Sequence, residues 1–213
     1  MFIGIAKSQN NIAAYLLMAV CAVLFKLSGF YIPSKIIIDF YTPLHHSAYV
    51  MIQEWNPGII WLNWISILIL FIQAVWINAV FQKHAILYKP SYLTGVFYIV
   101  FNCIFAGSIG ITPVLIANTL FIALIDKLFA LTKTEKYIST SFDIGFLLSI
   151  LVIIYFPFCW VLPAVVIALI IFKSFHWRIW IVFFTGLLLP YIMLLFYCFW
   201  IDDINFFIKF SGI

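Results

Sequence analysis

Charge is what this chain has least of. Only 8% of its 213 residues are charged, and just seven are acidic. A water-soluble domain of this length needs far more polar surface, so a soluble globular fold is excluded and lipid must serve as the solvent. Recognition of DNA or RNA is excluded with it. The surplus of +4 is scattered along the connections and forms no basic patch. Cysteine is scarce too. Cys21, Cys103, Cys159 and Cys198 all fall inside apolar runs without C-x-x-C spacing. They read as small packing residues, with no support for a disulfide scaffold or a thiolate metal site. There is no P-loop, no G-x-S-x-G, no H-E-x-x-H and no glycine-rich phosphate loop, so no cofactor is implied; Gly107 and Gly110 make only a short turn. No ionisable residue falls at mid-bilayer, which argues against a proton pump or ion-coupled transporter. Matching broken halves are missing as well, which disfavours an inverted-repeat carrier.

What the chain does have is apolar length. Hydrophobic residues make up 67% and aromatics 20%, and the mean hydropathy is +1.20. A spanning helix takes about 20 apolar residues at about 1.5 Å each. The sequence predicts one transmembrane domain over 1–213, an all-α bundle with spans near 11–31, 59–81, 91–108, 112–131, 142–157, 160–174 and 179–201. The first run is long enough to cross and carries no A-x-A cleavage site, so it reads as an uncleaved helix. The apolar stretch from Ile144 to Phe172 contains Pro157 and Pro163. It is long for one helix and short for two, and a tight hairpin or a kinked helix with a re-entrant piece both fit.

Orientation follows from the lysines and arginines. With the N-terminus inside, Lys7, Lys83, Lys89, Lys127, Lys133, Lys136, Lys173 and Arg178 lie inside, and Lys26, Lys35 and Lys209 outside. The positive-inside rule then predicts N-in and, with seven spans, C-out. Tyr31, Trp55, Trp61, Tyr88, Tyr137, Trp177, Trp180 and Trp200 mark the boundaries as interfacial anchors do. Lys26, a turn or so from the outer end of the first span, is expected to snorkel. Asp126 and Asp143 fall near the inner surface, within reach of Lys127, Lys133 and Lys136. Asp143 follows Ser139, Thr140 and Ser141 at the expected start of the fifth helix, where a carboxylate complements the N-terminus.

Residues 32–58 form the one sizeable connection, and loops of this length tend to be functional. Ile36, Ile37 and Phe40, then Ala48, Met51, Ile52 and Trp55, recur as two short amphipathic pieces separated by Pro43, which predicts two interfacial helices on the outer surface. The loop holds Asp39, His45, His46 and Glu54. A carboxylate there could act as general base or metal ligand with a histidine nearby. Adjacent histidines point in different directions, however, whereas metal-binding helical pairs sit at i, i+4. Ordinary polar groups facing water explain the same residues.

Inside the bilayer, Asn63, Ser66, Gln73 and Asn78 share an arc of about 140° on the second span at 100° per residue. Ser91, Gly95, Tyr98, Asn102 and Ala106 line up on the third. Thr112, Thr119, Ala123 and Asp126 line up on the fourth, which also carries Asn118. Stripes of small and hydrogen-bonding residues are what helix packing in lipid uses. A polar path between the helices is the alternative.

Four segments carry a resemblance: KPSYLTGVFYIVF from Lys89, ITPVLIANTLFIAL from Ile111, SFDIGFLLSILVIIYFP from Ser141 and FHWRIWIVFFTGLLLPY from Phe175. Together they resemble an uncharacterised family of polytopic inner-membrane proteins of Bacteroidota, a domain of unknown function. The likeness implies location and lineage, and it leaves residues 1–60 uncovered. In layout, a first helix, an outer loop with two surface helices and an early acidic residue, then six more helices, the chain is similar to the shared module of C-type polyprenol-dependent membrane glycosyltransferases. That likeness implies a base or metal-ligand role for Asp39. The chain departs from it in having no acidic pair directly after the first helix and no outward basic cluster beyond Lys26 and Lys35.

The sequence thus points first to a non-enzymatic integral subunit or scaffold of a bacterial envelope-biogenesis or protein-export complex in the inner membrane, with other integral membrane proteins as partners. A glycosyltransferase-like protein acting outside on a polyprenyl-linked sugar, with Asp39 as base and Glu54, His45 or His46 assisting, comes second. A small-solute or lipid transporter using the polar stripes comes third.

Overall fold

A computed structural model gives the arrangement; it describes residues 11–26, 59–87, 91–105, 112–133, 137–172 and 176–200. These form seven α-helices and no strand: α1 (Asn11–Lys26), α2 (Ile59–Lys83), α3 (Leu93–Phe105), α4 (Pro113–Lys133), α5 (Tyr137–Ile154), a 3-10 turn (Phe156–Trp160), α6 (Val161–Phe172) and α7 (Trp177–Trp200). Four helices are long and apolar enough to cross a membrane: Ile60–Lys83 in α2, Val114–Thr132 in α4, Tyr137–Ile154 in α5 and Trp177–Tyr197 in α7. At about 1.5 Å per residue these stretches run from about 27 to 36 Å, a match for a hydrocarbon core about 30 Å thick. Three shorter apolar helices accompany them. The chain is built as a membrane protein.

The described residues fall into two compact units, one running to Ile122 and the other beginning at Ala123. In the first, α1, α2 and α3 pack through Ala14, Met18, Ala22, Ile67, Leu70, Ala74 and Ile99. Three levels of contact fix their directions. Tyr15 meets Tyr92 edge to face with ring centroids 5.4 Å apart, and the Tyr92 side chain lies close to that of Gln82. One level on, Gly95 faces Met18 and the Ala74 carbonyl; a Cβ there would lie 2.9 Å from that oxygen, so only glycine lets the three helices meet so closely. At the far level Lys26 reaches Ser66 and lies beside Cys103. Residue numbers rise together along α1 and α3 and fall along α2, so the three helices alternate in direction.

Four polar residues of α2 lie inward. Asn63, Ser66, Gln73 and Asn78 are all buried, at 3%, 0%, 1% and 2% exposure, while Trp61, Trp64, Leu68 and Ile72 face outward. This inversion of the soluble pattern is what a lipid solvent dictates, since a buried amide or hydroxyl finds a partner and an outward one finds only acyl chains.

In the second unit α5 and α7 press together along Ser141, Ile144, Gly145 and Leu148 on one side and Ile179, Phe183 and Gly186 on the other, all buried. Gly145 and Gly186 each meet backbone of the opposite helix. Phe129 of α4 and Phe172 of α6 meet with ring centroids 6.2 Å apart and planes tilted by 44°. Pro190 sits within α7, so the Gly186 carbonyl loses its usual intrahelical donor, a defect membrane helices tolerate.

The fifth helix starts earlier than the sequence suggests, at Tyr137 in place of 142. Ser141 donates to the Tyr137 carbonyl at 2.7 Å, which lets a residue that looks like a cap sit inside the helix. Asp143 is therefore in the second turn and does not guard the N-terminus. It pairs with Lys127 at 2.6 Å. The Ile144 to Phe172 stretch is broken at Tyr155 into α5 and α6, joined by the 3-10 turn with Pro157 in its first positions and Pro163 in the first turn of α6. Both prolines stand where no intrahelical N–H is needed.

Candidate functional site

A set of buried and half-buried polar groups lies where α2, α3 and α4 meet. Gln73, near the middle of α2, gives both ends of its amide to neighbours. Its Nε2 donates to the Leu115 carbonyl at 2.6 Å and to Thr119 Oγ1 at 2.6 Å. Its Oε1 accepts from the Tyr98 hydroxyl at 2.9 Å. One turn along α3, Asn102 Oδ1 accepts from Asn118 Nδ2 at 2.9 Å, and Tyr98 lies within hydrogen-bonding reach of both asparagines. Thr119 turns its own hydroxyl toward the Leu115 carbonyl at 3.5 Å. Three helices are thus tied by one neutral network. Every member has a partner, the condition under which polar groups at membrane depth stabilise packing.

The sequence stripes meet here: Gln73 from α2, Tyr98 and Asn102 from α3, Asn118 and Thr119 from α4. Asn78, five residues on from Gln73 along α2, is buried but stands apart, its Oδ1 without a hydrogen-bond partner among the described residues. Asp126 is half-buried on α4 and has an interaction partner of its own. Asp39, His45, His46 and Glu54 lie outside the described residues, as do the two expected interfacial helices. Among the described residues no three of His, Cys, Asp and Glu gather closely enough to hold a metal ion.

A second polar set lies at the Lys26 end of the same unit, and the sequence did not reveal it. Lys26, expected to snorkel, is only 5% exposed. Its Nζ donates to Ser66 Oγ at 2.9 Å, and that hydroxyl donates to the Asn63 carbonyl one turn back at 2.8 Å. Ser66 is seven residues into α2, about 10 Å along its axis. The partners are 40 residues apart; no local pattern joins them.

The apolar outside is rich in large rings. Trp61, Trp64, Phe97, Phe101, Trp160, Trp177, Phe184, Phe196 and Trp200 are all exposed, and Cys159 is an exposed free thiol among them. Trp177 and Trp200 bound α7 at its two ends, as interfacial anchors bound a spanning helix. No protein-family model, curated protein or solved structure matches the chain.

Proposed function

We propose that this chain is a multi-pass subunit or scaffold of an envelope-biogenesis or protein-export complex in a bacterial inner membrane, crossing seven times with its N-terminus inside. The observation that carries the reading is the closed network of Gln73, Tyr98, Asn102, Asn118 and Thr119. These groups satisfy one another, as residues that hold helices together do. A transport path would need some of them turned toward a passage. The aromatic exterior offers broad apolar contact to lipid and to neighbouring membrane helices. The alternating directions of α1, α2 and α3 support serial crossing. Lys83 ends α2 at the level of Tyr15, the side the lysine count assigns to the cytoplasm. The likeness to the Bacteroidota family supports the same location.

The test is isolation of the native assembly in mild detergent, with its components and their stoichiometry identified by mass spectrometry. Partners at fixed ratio support a subunit. A stable lone chain with nothing accompanying it defeats that role. The layout of the first helix, outer loop and Asp39 favours a second reading, a glycosyltransferase-like protein acting on a polyprenyl-linked sugar. Co-purification of polyprenyl lipid, with loss of function in a folded Asp39→Asn variant, supports it; wild-type behaviour of that variant rejects it.

A further inference from the structure

We propose that Lys127 and Asp143 form a binding site for the headgroup of a phosphatidylethanolamine lipid, with Lys127 on the phosphate and Asp143 on the ammonium. Position comes first. Lys127 lies six residues before Lys133, where α4 ends, and Asp143 six residues after Tyr137, where α5 begins. Each is therefore about 9 Å along its helix from that end. The headgroup layer is about 5–8 Å deep on each side of the hydrocarbon core, so the pair falls at its inner edge. The sequence changes character at the same point. Ser139, Thr140 and Ser141 precede Asp143, and from Ile144 to Ile154 the only polar side chain is Ser149.

The pair also faces outward. At 100° per residue Asp143 stands about 160° round α5 from Gly145, which is pressed against α7. The Lys127 and Asp143 side chains are 45% and 38% exposed, and at this depth what lies outside is lipid. The ion pair leaves bonding capacity unused. Its contact, Nζ to Oδ2 at 2.6 Å, takes one of three ammonium donors and one of two carboxylate oxygens. Water would satisfy the remainder at a soluble surface; the edge of a hydrocarbon layer demands a charged or polar partner instead. Stability does not explain the pair, because exposed ion pairs contribute little to it. A lone snorkelling lysine would reach water with no carboxylate beside it.

A phosphoethanolamine headgroup is the complement. Its phosphate oxygens accept from the two remaining Nζ donors, and its primary ammonium donates to Asp143 Oδ1. Two other headgroup classes fit worse. A choline nitrogen carries methyl groups in place of every N–H, so it offers the carboxylate charge without a hydrogen bond. A phosphoglycerol headgroup brings net negative charge to a site whose carboxylate repels it. On the Asp143 face of α5, Leu147 and Ile150 follow one and two turns deeper, apolar and half-buried. They give the acyl chain of a lipid held at the pair a surface to lie on. Asp126, next to Lys127, has an interaction partner of its own and takes no part. This site goes beyond an assembly role and does not depend on it.

The test is native mass spectrometry of the purified full-length protein in mild detergent. The added lipids are phosphatidylethanolamine, its N-methyl and N,N-dimethyl derivatives, phosphatidylcholine and phosphatidylglycerol, all of one acyl composition. Retention is expected to fall as methyl groups replace N–H groups. Phosphatidylethanolamine should lead phosphatidylcholine by about tenfold or more, the scale of one hydrogen bond to a charged group. Asp143→Asn should lose that discrimination, and Lys127→Met should weaken retention of all five lipids. Thermal unfolding checks that both variants fold; where either does not, the methylation series on the wild type decides alone. Equal retention of phosphatidylethanolamine and phosphatidylcholine, preference for phosphatidylglycerol, or wild-type discrimination in a folded Asp143→Asn would overturn the proposal. So would a polypeptide that stays on the wild type and leaves both variants, since a partner helix would then occupy the pair.

Discussion

Adding one methyl group at Gly145 should do more damage than any other single-carbon change on α5. A Cβ there would run into the Phe183 carbonyl oxygen and lie 3.1 Å from the Leu187 nitrogen and 3.2 Å from the Phe183 carbonyl carbon. Carbon and oxygen settle no closer than about 3.3 Å in ordinary contact, so the helices must part locally. The obstructing atoms are backbone, and no side-chain rotation relieves them. Overpacking of this kind costs about 1–3 kcal/mol, and rigid neighbours put Gly145→Ala in the upper half of that range. Two kcal/mol is about a thirtyfold change in the folded-to-unfolded ratio. Gly186 faces the same seam, its own Cβ falling 2.5 Å from the Phe142 carbonyl, so Gly186→Ala should cost a similar amount. The double variant should cost less than the sum, because helices already separated by one methyl accommodate the second. Chemical unfolding in detergent micelles measures all three. Stability of Gly145→Ala within about 0.5 kcal/mol of wild type, the range of inconsequential surface changes, would refute the close approach of α5 and α7.

Two further outcomes can be measured in the same way. Ala85→Gly should stabilise the protein by about 0.5–1 kcal/mol, because Ala85 holds φ at 52° in a Schellman cap, with Ile86 N–H on the Phe81 carbonyl and Ala85 N–H on the Gln82 carbonyl, a position suited to glycine; destabilisation would contradict that cap. In a double-mutant cycle, Gln73→Leu and Tyr98→Phe should show a coupling of about 0.6 kcal/mol and no more than about 1.7, the range for hydrogen bonds between membrane helices. Zero coupling would mean that the Tyr98 hydroxyl is held by Asn102 and Asn118 alone.

Lipid as solvent made the element count readable and left the partners hidden. Each apolar segment marked in the sequence holds a helix in the described residues, because a run of about 20 apolar residues has one outcome in a bilayer. The inward face of α2 was readable as well, since Asn63, Ser66, Gln73 and Asn78 recur at helical spacing. Which groups those residues would meet was not. Gln73 bonds Thr119 across 46 positions, and nothing local to either distinguishes that pairing from others along the stripes. Boundaries failed where side chains compete with backbone: Ser139, Thr140 and Ser141 resemble a cap, yet Ser141 bonds back to Tyr137 and the helix begins before them. Ala85 in a left-handed cap carries no glycine signal at all.

The two polar sets of the first unit use different chemistry for what looks like one task. Around Gln73 every group is neutral, all but one of the hydrogen bonds join two helices, and the gain per such bond is about 0.6 kcal/mol. Nothing in that arithmetic calls for a cation. At the Lys26 end a hydrogen bond to Ser66 and a further interaction accompany a charge whose insertion at the centre of a spanning helix costs up to about 3.5 kcal/mol. Depth lowers that figure, since Ser66 lies about 10 Å from the end of α2, yet a snorkelling lysine would avoid it altogether. Lys26 is 5% exposed and does not snorkel. A methionine of similar length would fill the same space without the charge, and a serine facing it could still bond to the Asn63 carbonyl. What distinguishes the pair from the neutral network is therefore a group able to carry charge, held by Ser66 and by a further partner.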